Sequence, residues 1–236
     1  SLDDGARFKL WRDQFLSKFI MGYGMILAIN IYAMVCGLVT KPGFAFFGGT
    51  LCGVIAPDNT CDAGKIGFIG AKKAADMISF CDRFGIAVLT LVDSEGLCDC
   101  ACGKCTAILA GAYANATVAK VTAVVGKAYG SAFTLLGSKS VGADMALALP
   151  TACISVLTPE ASVAFVWNSK VGEQSREELE NEWKGKCASA TEACDCGEID
   201  DIVEPAELRA RICAAFSMLA SKAEGVPARK HANMPL

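Results

Sequence analysis

The sequence predicts an α/β fold with a mainly parallel sheet. Short apolar runs rich in β-branched residues indicate strands buried on both faces, and segments with helical apolar spacing separate them. The order strand, helix, strand, helix, strand is typical of α/β domains. With 236 residues, 53% apolar and 20% charged, the chain can bury one sizeable core. We therefore expect a single domain over residues 1–236.

The first part of the chain is predicted to hold a strand pair followed by a loop. Residues 21–39 approach the length of a membrane span, but glycines and Asn30 interrupt them and β-branched residues lie between. Two buried strands joined by a turn fit this pattern better, so we expect neither a membrane span nor a signal peptide. Residues 41–65 are rich in glycine, proline and asparagine, which predicts a loop.

The middle of the chain carries the alternating elements. Residues 71–84 place apolar side chains at helical spacing, and Gly85 follows where a C-cap glycine is expected. The apolar runs 86–92 and 118–125 are predicted strands, and a helix is predicted over about 104–115 between them.

The last part continues the same pattern before ending in helices. Residues 126–132 are expected to turn from a strand into a helix, and 144–149 and 154–157 are two further short strands. Residues 175–186 form a charged amphipathic pattern, and 204–222 a final helix that packs as an arm rather than joining the sheet.

Charge and cysteine usage exclude some classes of protein. The net charge of −3 gives no basic face for nucleic acid. Thirteen cysteines without a secretory signal argue against a disulfide scaffold and favour a reducing compartment, the cytoplasm.

Five segments, spread over most of the chain and in matching order, carry a family resemblance. They are residues 73–86 (KAADMISFCDRFGI), 116–122 (ATVAKVT), 127–132 (KAYGSA), 197–205 (GEIDDIVEP) and 229–236 (RKHANMPL). These segments resemble biotin-dependent acyl-CoA carboxyltransferases. The resemblance is closest to the C-terminal half of that family's two-domain subunit, in the branch of propionyl-CoA and methylmalonyl-CoA carboxyltransferases and related decarboxylases. It implies a crotonase (ClpP/crotonase-like) spiral of ββα units with a C-terminal helical arm.

The resemblance also implies the reaction and its participants. Members of the family move a carboxyl group between biotin and an acyl-CoA, in the carboxylase or the decarboxylase direction. Biotin arrives on a biotin carboxyl carrier protein, and the site is completed by a CoA-binding N-terminal domain of another subunit. We therefore expect both of these partners, together with further copies of the chain.

The family's biotin-contacting backbone N–H groups correspond to Ser131 and Ala132, within the turn Gly130-Ser131-Ala132. Carboxyl transfer develops an oxyanion, and each preorganised N–H donor is worth about 3–4 kcal/mol in comparable sites. The family usually has glycine where Ser131 stands, but serine keeps the N–H group. Thr134 matches the position that helps to choose the acyl chain, where propionyl-CoA carboxylases have aspartate. From the local residues alone, an ordinary strand-to-helix turn is an alternative interpretation.

A second site loop is expected at residues 93–97. The family commonly has proline before Gly96, whereas this chain has Glu95. A glutamate there could act as an acid or base, or it could be an exposed turn residue. Glu95 and Gly96 are therefore candidates for the substrate pocket.

The cysteine run after this loop suggests a competing kind of site. Cys98, Cys100, Cys102 and Cys105 could supply four thiolates to zinc or to an iron–sulfur cluster. Their spacing is tighter than usual for such sites, so we expect small packing side chains and no metal. The only histidine, His231, leaves no partner for a Ser–His or Cys–His nucleophile.

Two other functions remain open at this stage. One is an enoyl-CoA hydratase or isomerase of the crotonase type, for which Glu95 and Glu160 are the available carboxylates. The other is a non-catalytic assembly subunit, which the altered loop after Gly96 would suit.

Overall fold

The computed structural model describes residues 42–60, 62–98, 103–171 and 174–225, which belong to one compact unit. The strands expected within residues 21–39 and the C-terminal segment with His231 lie outside the described residues. Seven strands occur in the described part: β1 (Gly43–Phe47), β2 (Thr50–Ile55), β3 (Ala87–Ser94), β4 (Lys120–Tyr129), β5 (Met145–Ala148), β6 (Cys153–Ser155) and β7 (Asp201–Ile202). The helices are α1 (Phe68–Phe84), α2 (Gly103–Asn115), α3 (Ser131–Leu135), α4 (Pro159–Val166), α5 (Arg176–Lys186), α6 (Ala190–Asp195) and α7 (Leu208–Met218).

The strands form one sheet in the order β1-β2-β3-β4-β5-β7, with β6 attached to β4. Only the β1–β2 pair is antiparallel, so the predicted mainly parallel sheet is confirmed. Strand β4 is shared between two neighbours, because residues 121–124 pair with β5 and residues 127–129 pair with β6. This fork lies just before the end of the strand.

The predicted loop at residues 41–65 is wrong in its first half, because residues 43–55 form the β1–β2 hairpin. Gly48 and Gly49 make its turn with φ of 57° and 84°. A two-residue turn with positive φ at both positions matches the twist of a hairpin, and glycine adopts that conformation without strain. The glycine pair therefore marks a tight hairpin between two strands rather than an extended loop.

The predicted helix at residues 71–84 and the strand after it are confirmed as α1 and β3. Gly85 ends the helix with φ of 64°, and the Ile86 N–H donates to the Cys81 carbonyl at 2.8 Å. The helix at 104–115 is confirmed as α2. Strand β4, however, runs on to Tyr129, four residues beyond the predicted end.

Two apolar layers cover the sheet. Helices α1 and α2 pack on one face through Ile78 and Tyr113, both fully buried. Helix α7 covers the other face, where Ile212 and Phe216 pack in one cluster with Leu89 of β3. The predicted final helix begins four residues late, and the segment before it joins the sheet as β7.

Helices α4 and α5 form a hairpin beside β6. Their indole rings, Trp167 and Trp183, meet edge to face with centroids 5.0 Å apart. The predicted helix at 175–186 is confirmed, and Ser175 and Glu178 form a capping box at its start. No helix among the described residues is long and apolar enough to cross a membrane.

Candidate active site

The end of β4 is shaped by a glycine that no other residue could replace without strain. Gly130 has φ of 58° and ψ of −130°, and its N–H donates to the Ser155 carbonyl at 2.8 Å. A Cβ at this position would lie 3.2 Å from the Val156 carbonyl oxygen. The turn from β4 into α3 is therefore held against the end of β6.

Two adjacent backbone N–H groups follow this glycine. Ser131 is exposed, and Ala132 is fully buried beneath it. The first bond of α3 back to the Gly130 carbonyl comes from Thr134, at 3.4 Å. Within the described part of the chain, the N–H groups of Ser131 and Ala132 have no acceptor. These two N–H groups, the candidate donor pair, are thus left without a partner among the described residues, and the exposed Thr134 lies about one helical turn beyond.

The second site loop lies beside the end of β4. Gly96 is buried with φ of 137°, and a Cβ there would lie 4.0 Å from the Tyr129 carbonyl oxygen. Its own N–H donates to Ser94 Oγ at 3.3 Å. The fold therefore places Gly96 close to the end of β4, next to the Gly130 turn.

Glu95, predicted as an acid or base or as an exposed turn residue, forms an ion pair with a lysine. Its Oε1 lies 2.6 Å from Lys127 Nζ on β4, which makes it the partner of an ion pair rather than a solitary turn residue. The hydrogen bond and charge of Glu95 raise the pKa of Lys127. The sequence gives no indication of this pairing, because the two residues are 32 positions apart.

Tyr129 adds a buried phenol that sequence reasoning missed. Burial, the neighbouring thiol of Cys153 and the carboxylates of Glu95 and Glu160 together raise its pKa to about 12, with burial as the largest cause. Glu95 and Glu160, the carboxylates of the hydratase alternative, therefore both lie near this phenol. The apolar run of β4 ends before Tyr129, so no signal in the sequence shows that this side chain is buried or which groups surround it.

A cavity of about 490 Å³ adjoins the turn. Its size is in the usual range for small-molecule sites. The wall nearest the donor pair is formed by Phe133 of α3 and by the end of β6. The remaining wall comes from the helices α4 to α6, and the lining is mostly apolar: Ile154, Ser155, Val156, Leu157, Ser162, Val166, Trp183, Cys187, Glu192, Ala193, Cys196 and Glu198.

The cysteine run is only partly visible. Cys100 and Cys102 lie outside the described residues, as does the side chain of Cys105, so the expectation that this run holds no metal stays a prediction. Among the side chains that are described, no three His, Cys, Asp or Glu residues are grouped to hold a metal ion. Burial raises the pKa of Cys52 to about 11 and that of Cys81 to about 12, so neither buried thiol is ionised at neutral pH.

The architecture is that of a crotonase-like α/β protein. The fold matches transcarboxylase 12S, solved as a hexamer with methylmalonyl-coenzyme A bound, with a TM-score of 0.77 and 30% identity over 84% of this chain and 40% of that one. The geranyl-CoA carboxylase β subunit of P. aeruginosa has the same fold, with a TM-score of 0.65 and 23% identity over 82% of this chain and 38% of that one. The predicted crotonase fold is thereby confirmed.

The chain belongs to the carboxyl transferase domain family, whose model matches residues 37–234. It is 35% identical over 209 residues to the propionyl-CoA carboxylase beta chain of Saccharopolyspora erythraea, covering 82% of this chain and 38% of that protein. It is 36% identical over 205 residues to the methylmalonyl-CoA decarboxylase subunit alpha of Propionigenium modestum, covering 82% and 40%. The chain thus spans 38% to 40% of the length of these relatives.

Proposed function

We propose that residues 1–236 form the biotin-side, C-terminal domain of a biotin-dependent acyl-CoA carboxyltransferase. The domain would move a carboxyl group between biotin and an acyl-CoA, in either the carboxylase or the decarboxylase direction. One observation carries the proposal. In a chain of the carboxyl transferase family, the N–H groups of Ser131 and Ala132 are adjacent and have no acceptor among the described residues.

The donor set suits the chemistry of biotin. When bound, biotin supplies a ureido group that carries the carboxyl. The N–H groups of Ser131 and Ala132 would hold its ureido oxygen and stabilise the negative charge that develops there. Gly130 keeps the two donors in place, because its carbonyl accepts from Thr134 and its N–H is bonded to Ser155. Thr134, Glu95 and Gly96 would border the acyl group.

The proposal includes a CoA-binding domain, which completes the site in the family that this chain resembles. The chain is less than half the length of the relatives that act on acyl-CoA. Exposed apolar side chains lie beside the candidate site, with Val156 83% and Phe165 84% accessible. Such side chains favour contact with another protein surface. The partners we propose are a CoA-binding N-terminal carboxyltransferase domain, a biotin carboxyl carrier protein and further copies of the chain.

We place this complex in the cytoplasm. The eight cysteines that the structure describes as free thiols favour a reducing compartment.

The test is carboxyl transfer from malonyl-CoA or methylmalonyl-CoA to free biotin, with and without an added CoA-binding domain. Activity is expected only with that domain. Ser131→Pro removes one donor and should lower kcat about a hundredfold. Ser131→Ala is the matched control, because it keeps the N–H and should retain activity.

Other outcomes would point to a different function. Transfer that survives Ser131→Pro at full rate would contradict the donor role. A folded, partner-bound complex without transfer would favour an assembly subunit, and acyl-CoA turnover without biotin would favour a hydratase or isomerase.

A further inference from the structure

We infer that Asp93 is a positioning residue. It closes a bulge in β4 and so determines the position of the donor turn, Gly130-Ser131-Ala132. Asp93 does not itself border the donor pair. It acts on the strand that leads to Gly130, three residues before the turn. The catalytic part of the inference rests on the proposed function, whereas its structural part does not.

The bulge is visible in the pairing of β3 with β4. Val92 is opposite Val124, but the next pair is Ser94 with Ala128. A single residue of β3, Asp93, therefore faces the three residues 125–127 of β4. Such bulges bend a strand and leave backbone groups without their ladder partners.

The Asp93 carboxylate supplies a missing partner. Its Oδ1 accepts the Lys127 N–H at 2.8 Å, which is the backbone donor that the bulge leaves without a ladder acceptor. Its Oδ2 accepts from Asn59 Nδ2 at 2.5 Å. The two oxygens thus connect the bulge to the loop after β2.

A glycine makes room for this carboxylate. A Cβ on Gly126 would lie closer than 3.0 Å to both oxygens of Asp93. The φ of Gly126 is outside the left-handed region, so the backbone itself does not require glycine there. The requirement comes from the position of the Asp93 side chain.

The location of the bulge connects it to the site. Residues 121–124 of β4, before the bulge, pair with β5, whereas residues 127–129, at its end and beyond it, pair with β6. The bulge therefore lies where β4 changes partner. The bonds of Tyr129 and Gly130 with β6 depend on that change, and the donors at Ser131 and Ala132 follow directly.

Asp93 is also fixed from its other side. A Cβ on Gly64 would lie closer than 3.0 Å to the Asp93 carbonyl oxygen, so the backbone of residues 62–64 packs closely against it. Two residues further along the chain, the Glu95 N–H donates to the Ala63 carbonyl at 3.2 Å. The backbone of Asp93 is thus held by residues 62–64, and its carboxylate is bonded to β4. This arrangement fixes β4 at the bulge.

The experiment compares four variants in the full chain: Asp93→Ala, Asp93→Asn, Gly126→Ala and the double variant Asp93→Ala/Gly126→Ala. Gly185→Ala is the control, because nothing lies within 4 Å of a Cβ there. Hydrogen exchange is measured for residues 126–136 and, as an internal reference, for helix α2. Carboxyl transfer to free biotin is measured with the CoA-binding domain present.

Asp93→Ala should speed exchange over residues 126–136 about tenfold and leave α2 unchanged, because only the local structure opens. Asp93→Asn keeps an acceptor oxygen and should restore slow exchange. For Asp93→Ala, kcat should fall about tenfold or more with KM for malonyl-CoA unchanged, because misplaced donors act on the chemical step. Gly126→Ala should speed exchange over residues 126–136 and lower kcat when Asp93 is present. In the Asp93→Ala background the same substitution should have a much smaller effect.

Two results would overturn the inference. If Gly126→Ala changes exchange and kcat equally with and without Asp93, the carboxylate does not occupy the space beside Gly126. Exchange that stays slow in Asp93→Ala would show that the bulge holds without it. If the wild-type complex transfers no carboxyl group, the proposed function fails, and hydrogen exchange still decides the structural claim.

Discussion

Gly53 of β2 and Cys81 of α1 are in such close contact that a Cβ on the glycine would lie closer than 3.0 Å to the sulfur. Cys81 is fully buried, and the same Cβ would lie 3.3 Å from Met77 Cε. Helix α1 therefore approaches the sheet through a position without a side chain. This contact sets the distance between the two layers.

Gly53→Ala is expected to lower the free energy of unfolding by about 1–3 kcal/mol, because overpacking forces a buried layer to shift. The measurement is the urea midpoint. Combining it with Cys81→Ala should recover part of the loss, since the smaller side chain leaves room. A loss of the same size in both backgrounds would contradict the contact.

Glu95→Gln is expected to lower the pKa of Lys127 towards its ordinary value, since the Glu95 carboxylate is the main cause of the rise. A raised lysine pKa stabilises the fold below the ordinary lysine pKa, and this contribution is lost as pH rises through the raised value. Both side chains are partly exposed, so the change in unfolding free energy should stay below about 1 kcal/mol. An NMR titration of the Lys127 ammonium checks this, and an unchanged pKa would refute the pairing.

Tyr129→Phe is expected to change how stability depends on alkaline pH. The fold raises the pKa of this phenol from 10.0 to about 12, so the unfolded chain loses the proton first. Stability should therefore be unaffected below pH 10 and fall by about 1.4 kcal/mol per pH unit between the two values. Urea melts across this range should show a shallower fall in the variant. Tyrosinate absorbance of the folded protein, compared with and without Tyr129, gives the pKa directly.

Local patterns predicted the central elements well. Helix α1 with its Gly85 cap and strand β3 follow from apolar spacing and a single glycine, which act within a few residues. The Gly48-Gly49 pair acts just as locally, yet the glycine-rich composition around it favoured a loop over a hairpin. The predicted loop at residues 41–65 was wrong in its first half because a glycine pair between two short strands is typical of a hairpin turn.

The candidate site was predicted only in its backbone. Gly130, Ser131 and Ala132 were found through the resemblance, and the structure places them at the end of β4. The contacts around them join residues that are far apart in sequence, such as Asp93 with Gly126 and Glu95 with Lys127. No local pattern indicates such pairs, because the partners are more than 30 residues apart in sequence.

The fork of β4 divides the stability of the domain into two parts. The part that pairs with β5 lies within the main sheet, whereas the end that carries Gly130 is tied to β6, a strand of three residues, and to β3 through the single pair Ser94–Ala128. Short edge pairings open more readily than a buried sheet. Gentle heating or a protease should therefore release β6 and the donor turn while the rest of the domain stays folded. Such a preparation would keep most of its circular dichroism and lose the carboxyl transfer that we propose for this turn.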